Sequence, residues 1–284
     1  MSGMASRQVW KNRLLKFKDN PWAVISFFKK VFWYNFVADR YVAFYNKYTF
    51  LDYTETIQYA IDRNTSIIRF GDEFFDMLDG IGLYYGDFHQ RWDKEIARKY
   101  KEIISTKNPN VLICVPHDRI RMSKGDFVRQ GIPNEWHFWN KMRIFLKDYI
   151  HADKPYGILH VFQPQYNKTI DFNLIADFFA KKHIIIISAV PEKFTHIKLG
   201  KTTNWIKVPR SDAWFSYNDI KKRTLKCIED NKYPHDDVLI LGSASTASKI
   251  LIYELTKEYD ITGWDTGQFF DLAERHITKI WKSS

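Results

Sequence analysis

Two cysteines in 284 residues, Cys114 and Cys227, lie far apart and form neither a disulfide framework nor a metal-type spacing. Cys114 sits inside the apolar run Val111-Leu112-Ile113-Cys114-Val115, where a thiol behaves as a small core residue. The nine histidines are scattered, with no His-x-x-x-His or His-Glu pair to hold a metal on a helix. Gly-x-Ser-x-Gly is missing, and no Cys/His arrangement argues for nucleophilic catalysis. Neither Gly-x-Gly-x-x-Gly nor a Gly-Lys-Ser/Thr phosphate loop occurs. The start lacks the short apolar core and small residues of a signal peptide, which fits a cytoplasmic location. The most apolar early stretch, 22–37, is broken by Lys29-Lys30, so a spanning helix is not expected. No internal repeat, low-complexity tract or long linker shows up.

What the chain does have is 45% hydrophobic and 27% charged residues, an ordinary globular composition large enough for one big α/β domain or two small ones. Aromatic content is high at 17%, and the net charge of +10 favours acidic partners: nucleic acid, anionic lipid or phosphorylated substrate. That charge is uneven. Residues 1–48 carry nine Lys/Arg against Asp19 and Asp39, a balance of +7, together with Trp10, Trp22, Trp33 and many Phe and Tyr. A basic aromatic helical arm of this kind suits the face of an anionic membrane, peripheral on its inner side. The plainer reading is an arm that packs its aromatics on its own domain. Nucleic-acid binding would rest on charge alone, because its recognition modules are missing; no nucleic-acid partner is expected.

From residue 49 to 284 short apolar runs alternate with amphipathic stretches. Strands are expected at 66–70, 111–115, 157–162, 184–187, 205–208, 238–241 and 260–264. Helices are expected at 52–62, 91–105, 136–150, 172–181, 217–230 and 245–257. Continuous apolar strands alternating with helices specify an α/β fold: a Rossmann-like, mostly parallel sheet with helices on both faces, preceded by the helical arm.

The stretch richest in chemistry is Ser66-Ile67-Ile68-Arg69-Phe70-Gly71-Asp72-Glu73-Phe74-Phe75-Asp76. A buried strand stops at a glycine, and carboxylates follow at the edge where ligands bind in such sheets. Asp72 and Glu73 could hold a hard cation against a diphosphate, which needs only one or two carboxylates. The plainer reading is a strand end and a capped helix. A second strand runs into Leu241-Gly242-Ser243-Ala244-Ser245-Thr246, where a helix N-terminus presents N–H groups to an anion. After a third, Pro209-Arg210-Ser211-Asp212-Ala213-Trp214 offers Arg210 to a phosphate and Trp214 to a base or sugar. A fourth ends Trp264-Asp265-Thr266-Gly267, adding Asp265 with Asp271 beyond it. His117, just past a strand end, is a further candidate.

Together these pieces resemble a bacterial glycosyltransferase family of the GT-D fold. Its Arg-Phe-Gly-Asp-Gly-Glu strand end is similar to Arg69-Phe70-Gly71-Asp72-Glu73-Phe74, and its Leu/Ile-Cys-x-Pro strand to Leu112 through Pro116. Its Pro-x-x-Asn-Ala-Phe segment resembles residues 209–214, its Leu-Gly-Pro-Thr-Ala-Thr residues 241–246, and its Asp-x-Gly residues 265–267. The order agrees over roughly residues 52–275. The resemblance implies transfer of a sugar from a nucleotide sugar, typically UDP-linked, to a cell-surface glycan or glycoprotein. It also implies a divalent metal, usually manganese, at the Asp-x-Glu acids. The motif departs there: Phe74 stands at the family's Glu position and Glu73 one residue early.

The expected organisation is therefore an arm, 1–48, and a GT-D-like domain, 49–284. Asp72 and Glu73 are the expected metal ligands. Arg69, Gly71, Arg210, Gly242, Ser243, Ser245 and Thr246 are expected around the donor. Asp72, Asp265 and Asp76 are the candidate catalytic carboxylates. A homo-oligomer is left open. The competing class is a degenerate homologue, a membrane-associated binding partner in glycan assembly.

Overall fold

The computed structural model describes residues 38–85, 88–133, 135–163, 169–190 and 198–267, with Ile25 and Phe28. The side chains of Ala38, Asp39, Asp72, Tyr85, His137 and Phe138 are outside that description. Most of the 1–48 arm falls outside it too. Ile25 and Phe28 are helical and exposed, and Ala38–Tyr41 and Ala43–Lys47 are short 3-10 turns.

In chain order, α1 (Tyr53–Asp62), β1 (Ser66–Arg69), α2 (Asp72–Leu78), β2 (Leu83–Tyr85), β3 (Phe88–Gln90) and α3 (Lys94–Ile104) come first. Next are β4 (Val111–Val115), α4 (His117–Ile120), α5 (Lys124–Arg129), α6 (Glu135–Leu146) and β5 (Gly157–Ile158). Then follow α7 (Phe172–Phe179), β6 (His183–Ser188), β7 (Thr202–Lys207), α8 (Tyr217–Asp230), β8 (Val238–Ser243), α9 (Ser245–Tyr259) and β9 (Thr262–Asp265). Two compact units result. One is built from Phe70–Ser105, Pro116–Pro155 and the described residues before Phe50; the other from Phe50–Arg69, Thr106–Val115 and the described residues from Tyr156 on.

The second unit holds the sheet, seven strands in the order β5-β4-β1-β9-β8-β6-β7, every pairing parallel. The reason is visible in β6, where Ile184, Ile185, Ile186 and Ile187 are all wholly buried. A strand covered on both faces has no polar side, and each such side chain contributes roughly 1.5–3 kcal/mol. One face packs Ile67, Leu112, Ile186, Leu241 and Trp264 against Ile57 and Ala60 of α1 and Phe178 and Phe179 of α7. On the other face α9 lies so close that a Cβ at Gly242 would stand 2.7 Å from Ser248 Cβ, and one at Gly263 2.8 Å from Ile252 Cγ1. α1 starts at a capping box: Asp52 accepts from the Glu55 amide and Glu55 from the Asp52 amide, both at 2.8 Å. Such a cap is worth about 1 kcal/mol.

The first unit gathers α2, the β2–β3 hairpin and α3 to α6. Its centre is aromatic. Phe74 sits between Phe70 and Phe75, both 4.7 Å away by ring centroid, with Tyr100 at 5.7 Å. Arg143 of α6 is fully buried and donates to the carbonyls of Ile120 (2.7 Å) and Met122 (2.6 Å) and to Asn140 Oδ1 (2.8 Å). The Tyr45 hydroxyl donates to the Arg143 carbonyl, which ties the end of the 1–48 segment to α6.

Several boundaries differ from the sequence reading. β5 has two residues rather than six, because after Ile158 the chain bends into turns. The hairpin and the short helices α4 and α5 escaped it, since three- to six-residue elements carry too little periodicity to register.

Candidate active site

All strands of the sheet point the same way, so their C-terminal ends share one edge. The earlier strands β5, β4 and β1 meet the later ones β9, β8, β6 and β7 at the β1–β9 pair. Ligands of open α/β sheets bind at such a junction. Arg69 closes β1 and Asp265 closes β9.

The two side chains form a buried cluster with a third. Asp265 is 1% exposed, Arg69 6% and Lys249, on the second turn of α9, 4%. Asp265 Oδ2 takes the Lys249 ammonium and the Arg69 main-chain N–H (3.3 Å), and lies 3.7 Å from Arg69 Nε. Arg69 Nε donates to the Asp265 main-chain oxygen at 2.6 Å and Nη1 to Leu159 O at 3.3 Å. Desolvation makes a buried charge expensive unless it is paired, and Asp265 pairs with both cations. Cys114 lies within reach of the same charges, yet burial dominates and pushes its thiol well above the ordinary range.

The turn after β9 is laid across the end of β8. Thr266 N and Gly267 N both donate to Gly242 O, at 2.9 and 3.2 Å, and Thr266 Oγ1 does so at 3.1 Å. The Ser243 hydroxyl donates to Gly267 O at 2.5 Å. Gly267 has φ +54°, and the Arg69 guanidinium passes beneath it. Gly242, by contrast, is not among the residues with positive φ; it is glycine because α9 packs against it. The unusual backbone falls at Ser245, with φ +49°, where α9 begins. No side chain caps α9 in the usual way: the N-cap is Ala244, whose N–H donates instead to Ser248 Oγ at 3.3 Å. Thr246 is buried in the first turn.

Six expected site residues therefore come together in the second unit: Arg69, Gly242, Ser243, Asp265 and, at the start of α9, Ser245 and Thr246. Arg210 belongs to the same unit but is exposed, after the end of β7. Trp214 packs on Tyr217 with centroids 4.9 Å apart and the rings tilted by 32°, and the Tyr217 hydroxyl donates to Glu254 at 2.6 Å.

The remaining acids belong to the first unit. Gly71 is the N-cap of α2, which starts at Asp72. Glu73 accepts from the Gly71 N–H at 3.3 Å. Phe74, at the position the resemblance reserves for a glutamate, is wholly buried in the aromatic cluster. Asp76 is held by Lys141 of α6 at 3.3 Å, and the same ammonium bridges to Asp79. His117 is buried at the start of α4. Among the described residues no group of three or more His, Cys, Asp or Glu gathers to hold a metal. Of the acids in and just after α2 whose side chains are described, Glu73 accepts from the Gly71 N–H and Asp76 and Asp79 are both engaged by Lys141.

Sequence reasoning passed over Lys249, and it named Gly267 only as part of the Asp-x-Gly stretch. The signal for Lys249 was a single cation amid Ala247, Ser248, Ile250, Leu251 and Ile252, on a helix buried from Thr246 to Thr256. A charge on a helix apolar all round needs a partner.

A parallel sheet flanked by helices, with its charged cluster at the strand ends, defines an open α/β architecture. Residues 67–268 match the glycosyltransferase GT-D fold family, and the chain belongs to it. It is similar to the probable glycosyl transferase Gly of Streptococcus gordonii, 22% identical over 250 residues, covering 81% of this chain and 34% of that one. It also resembles glycosyltransferase GlyD of Streptococcus pneumoniae serotype 4, 30% identical over 117 residues, 39% of this chain and 13% of that one. The chain thus spans about a third or less of the length of these relatives. Among solved structures, the domain of unknown function 1792 described as having a distinct glycosyltransferase fold matches with a TM-score of 0.67 at 19% identity, over 88% of each chain. A glycosyltransferase of the same domain type from Streptococcus sanguinis matches with a TM-score of 0.60 at 21% identity, over 81% of this chain and 84% of that one. No helix among the described residues is long and apolar enough to cross a membrane.

Proposed function

We propose that the chain transfers a sugar from a nucleoside diphosphate sugar, UDP-linked, to a cell-surface glycan or glycoprotein acceptor. The observation that carries this reading is the buried Arg69–Asp265–Lys249 cluster at the β1–β9 junction of a GT-D-family sheet. Its two cationic side chains and the amides at the start of α9 suit the donor's phosphates. The 242–245 loop donates N–H and O–H groups to them, and Arg210 adds charge from beyond β7. Asp72, with Glu73 in support, is the protein's share of a manganese site on the diphosphate. The cation, when bound, neutralises charge on the leaving group. Asp265 and Asp76 are both held by lysines; Asp265 orders the donor loop, and Asp76 fixes α2 to α6. The basic aromatic 1–48 segment holds the protein on an anionic membrane surface, where a lipid-linked acceptor is presented.

A second reading is favoured by Phe74. With an aromatic ring in the core where the resemblance expects a glutamate, the chain could bind donor without turning it over, as a partner in glycan assembly. Thermal shift across nucleotide sugars, with and without manganese, followed by a donor-hydrolysis assay, tests both. Binding with hydrolysis supports the transferase, and binding without hydrolysis the partner. If no nucleotide sugar raises the melting temperature, both readings fall.

A further inference from the structure

We propose that Ser188, at the C-terminal end of β6, is a donor-binding residue: its hydroxyl, and not that of Ser243 beside it, gives a hydrogen bond to the diphosphate. The inference rests on the donor reading given above and adds one residue to that site.

Three observations carry it. First, Ser188 belongs to the same sheet edge as the donor loop. Its register partner on β8 is Ser243, and on β7 it is Lys207. Register partners on adjacent parallel strands lie about 4.8 Å apart with their side chains on one face. Ser188 therefore stands one strand away from the 242–245 loop, with a basic residue at the matching position beyond it. Second, the two serines are engaged in opposite senses. A serine hydroxyl has one proton to give. Ser243 gives its proton to Gly267 O at 2.5 Å, because a carbonyl can only accept. That proton is committed to holding the 265–267 turn. Ser188 Oγ instead accepts, from the Val190 N–H at 3.2 Å, and among the described residues no group takes its proton. Third, the position is polar at the end of an otherwise apolar strand. Ile184 to Ile187 are wholly buried, and Ser188 is itself only 5% exposed. A hydroxyl proton in such a place gains from an acceptor, and a phosphate oxygen over the strand ends is one. The bond to Val190 is also what a strand-ending serine turn makes. A turn alone is thus the rival account, and it uses the oxygen without using the proton.

The test compares the wild type with Ser188→Ala, Ser188→Thr, Ser188→Asp and Ser243→Ala, all in the full chain. UDP is the probe, by calorimetry with manganese present, and the ligand-free melting temperature reports the fold. Ser188→Ala should melt within a few degrees of the wild type and weaken UDP about tenfold or more, the loss of one hydrogen bond to a charged group. Ser188→Thr keeps the hydroxyl and should hold UDP within about twofold of the wild type. Ser188→Asp keeps an acceptor for the Val190 N–H, has no proton to give and sets a negative charge against the phosphates. It should weaken UDP more than alanine does. Ser243→Ala should lower the melting temperature more than Ser188→Ala, and UDP affinity less. Wild-type UDP affinity in Ser188→Ala or Ser188→Asp marks a turn residue; it overturns the proposal and leaves the donor reading standing. A larger loss of UDP in Ser243→Ala than in Ser188→Ala overturns it too. Should one of the alanine and aspartate variants at 188 fail to fold, the other decides by comparison with threonine. A wild type that binds no UDP overturns the donor reading and this proposal with it.

Discussion

Gly267 lies so close over Arg69 that a Cβ there would stand 2.0 Å from the guanidinium Nη2. The contact joins the end of β9 to the end of β1 and leaves no room for any other residue. With φ at +54° the position is also costly for an L side chain, by about 1–2 kcal/mol. Gly267→Ala should therefore expel the Arg69 side chain, lower the melting temperature by several degrees and weaken donor binding. An alanine variant with unchanged stability and donor affinity would show that the Arg69–Gly267 contact is dispensable.

Gly242 makes a different demand. Its Cβ would meet Ser248 Cβ at 2.7 Å and Ile252 Cδ1 at 3.0 Å, both on α9. Gly242→Val should push the helix off the sheet at a cost of roughly 1–3 kcal/mol in urea unfolding. Gly242→Ala should show a smaller loss of the same sign. Donor affinity should fall with the valine, because α9 carries the first-turn amides. A folded valine variant with normal donor binding contradicts the role given to this loop.

The departure at Phe74 tests how the first unit is built. Its ring fills the space among Phe70, Phe75 and Tyr100. Phe74→Glu would restore the family's carboxylate in name only. The lost packing alone costs about 3–5 kcal/mol, and burying a charge adds to it. The expected result is a poorly folded protein with no gain in manganese affinity. A well-folded Phe74→Glu protein that binds manganese more tightly would refute the packing argument.

Lys154 supplies a pH dependence. Burial holds its ammonium down to about 8, against a partial pull upward from Asp153. The folded pKa lies below the unfolded one, so between about pH 8 and the usual lysine value the unfolded chain binds more protons. Stability from this group therefore rises with pH through that window. Below it the buried charge costs at most about 3 kcal/mol. Lys154→Met should be more stable than the wild type at pH 7, and the advantage should shrink by pH 10. Denaturant titrations at the two pH values measure it; a constant difference rules out the burial explanation.

The fold was legible where burial is uniform. Residues 111–115 and 217–230 were placed to the residue, the first as a run with no polar side, the second from its helical period. Strand ends drew attention to Arg69, Gly242 and Asp265, and the sheet brings those three together. What stayed hidden depends on contacts between distant segments. Asp265 read as a candidate catalytic carboxylate at a strand end, but its partners are Arg69, almost two hundred residues earlier, and Lys249 across a helix–strand turn. Asp76 likewise read as a candidate catalytic carboxylate, and Lys141 of α6 holds it. Spacing along the chain reports one element at a time, and these pairings lie between elements.

Asp72 opens α2 directly after the β1 edge, with Gly71 as N-cap. If it is the protein's ligand to a cation carried on the diphosphate, Asp72→Asn removes the negative charge and keeps the size and a capable helix-start residue. The fold should survive, with a melting temperature within a few degrees of wild type. Donor affinity in manganese should fall tenfold or more, about 1.4 kcal/mol, while affinity in EDTA changes little. The difference between the two conditions is the readout, because a general weakening of the site would lower both. Asp72→Asn with full manganese-dependent binding would leave the cation to the donor alone and remove Asp72 from the site.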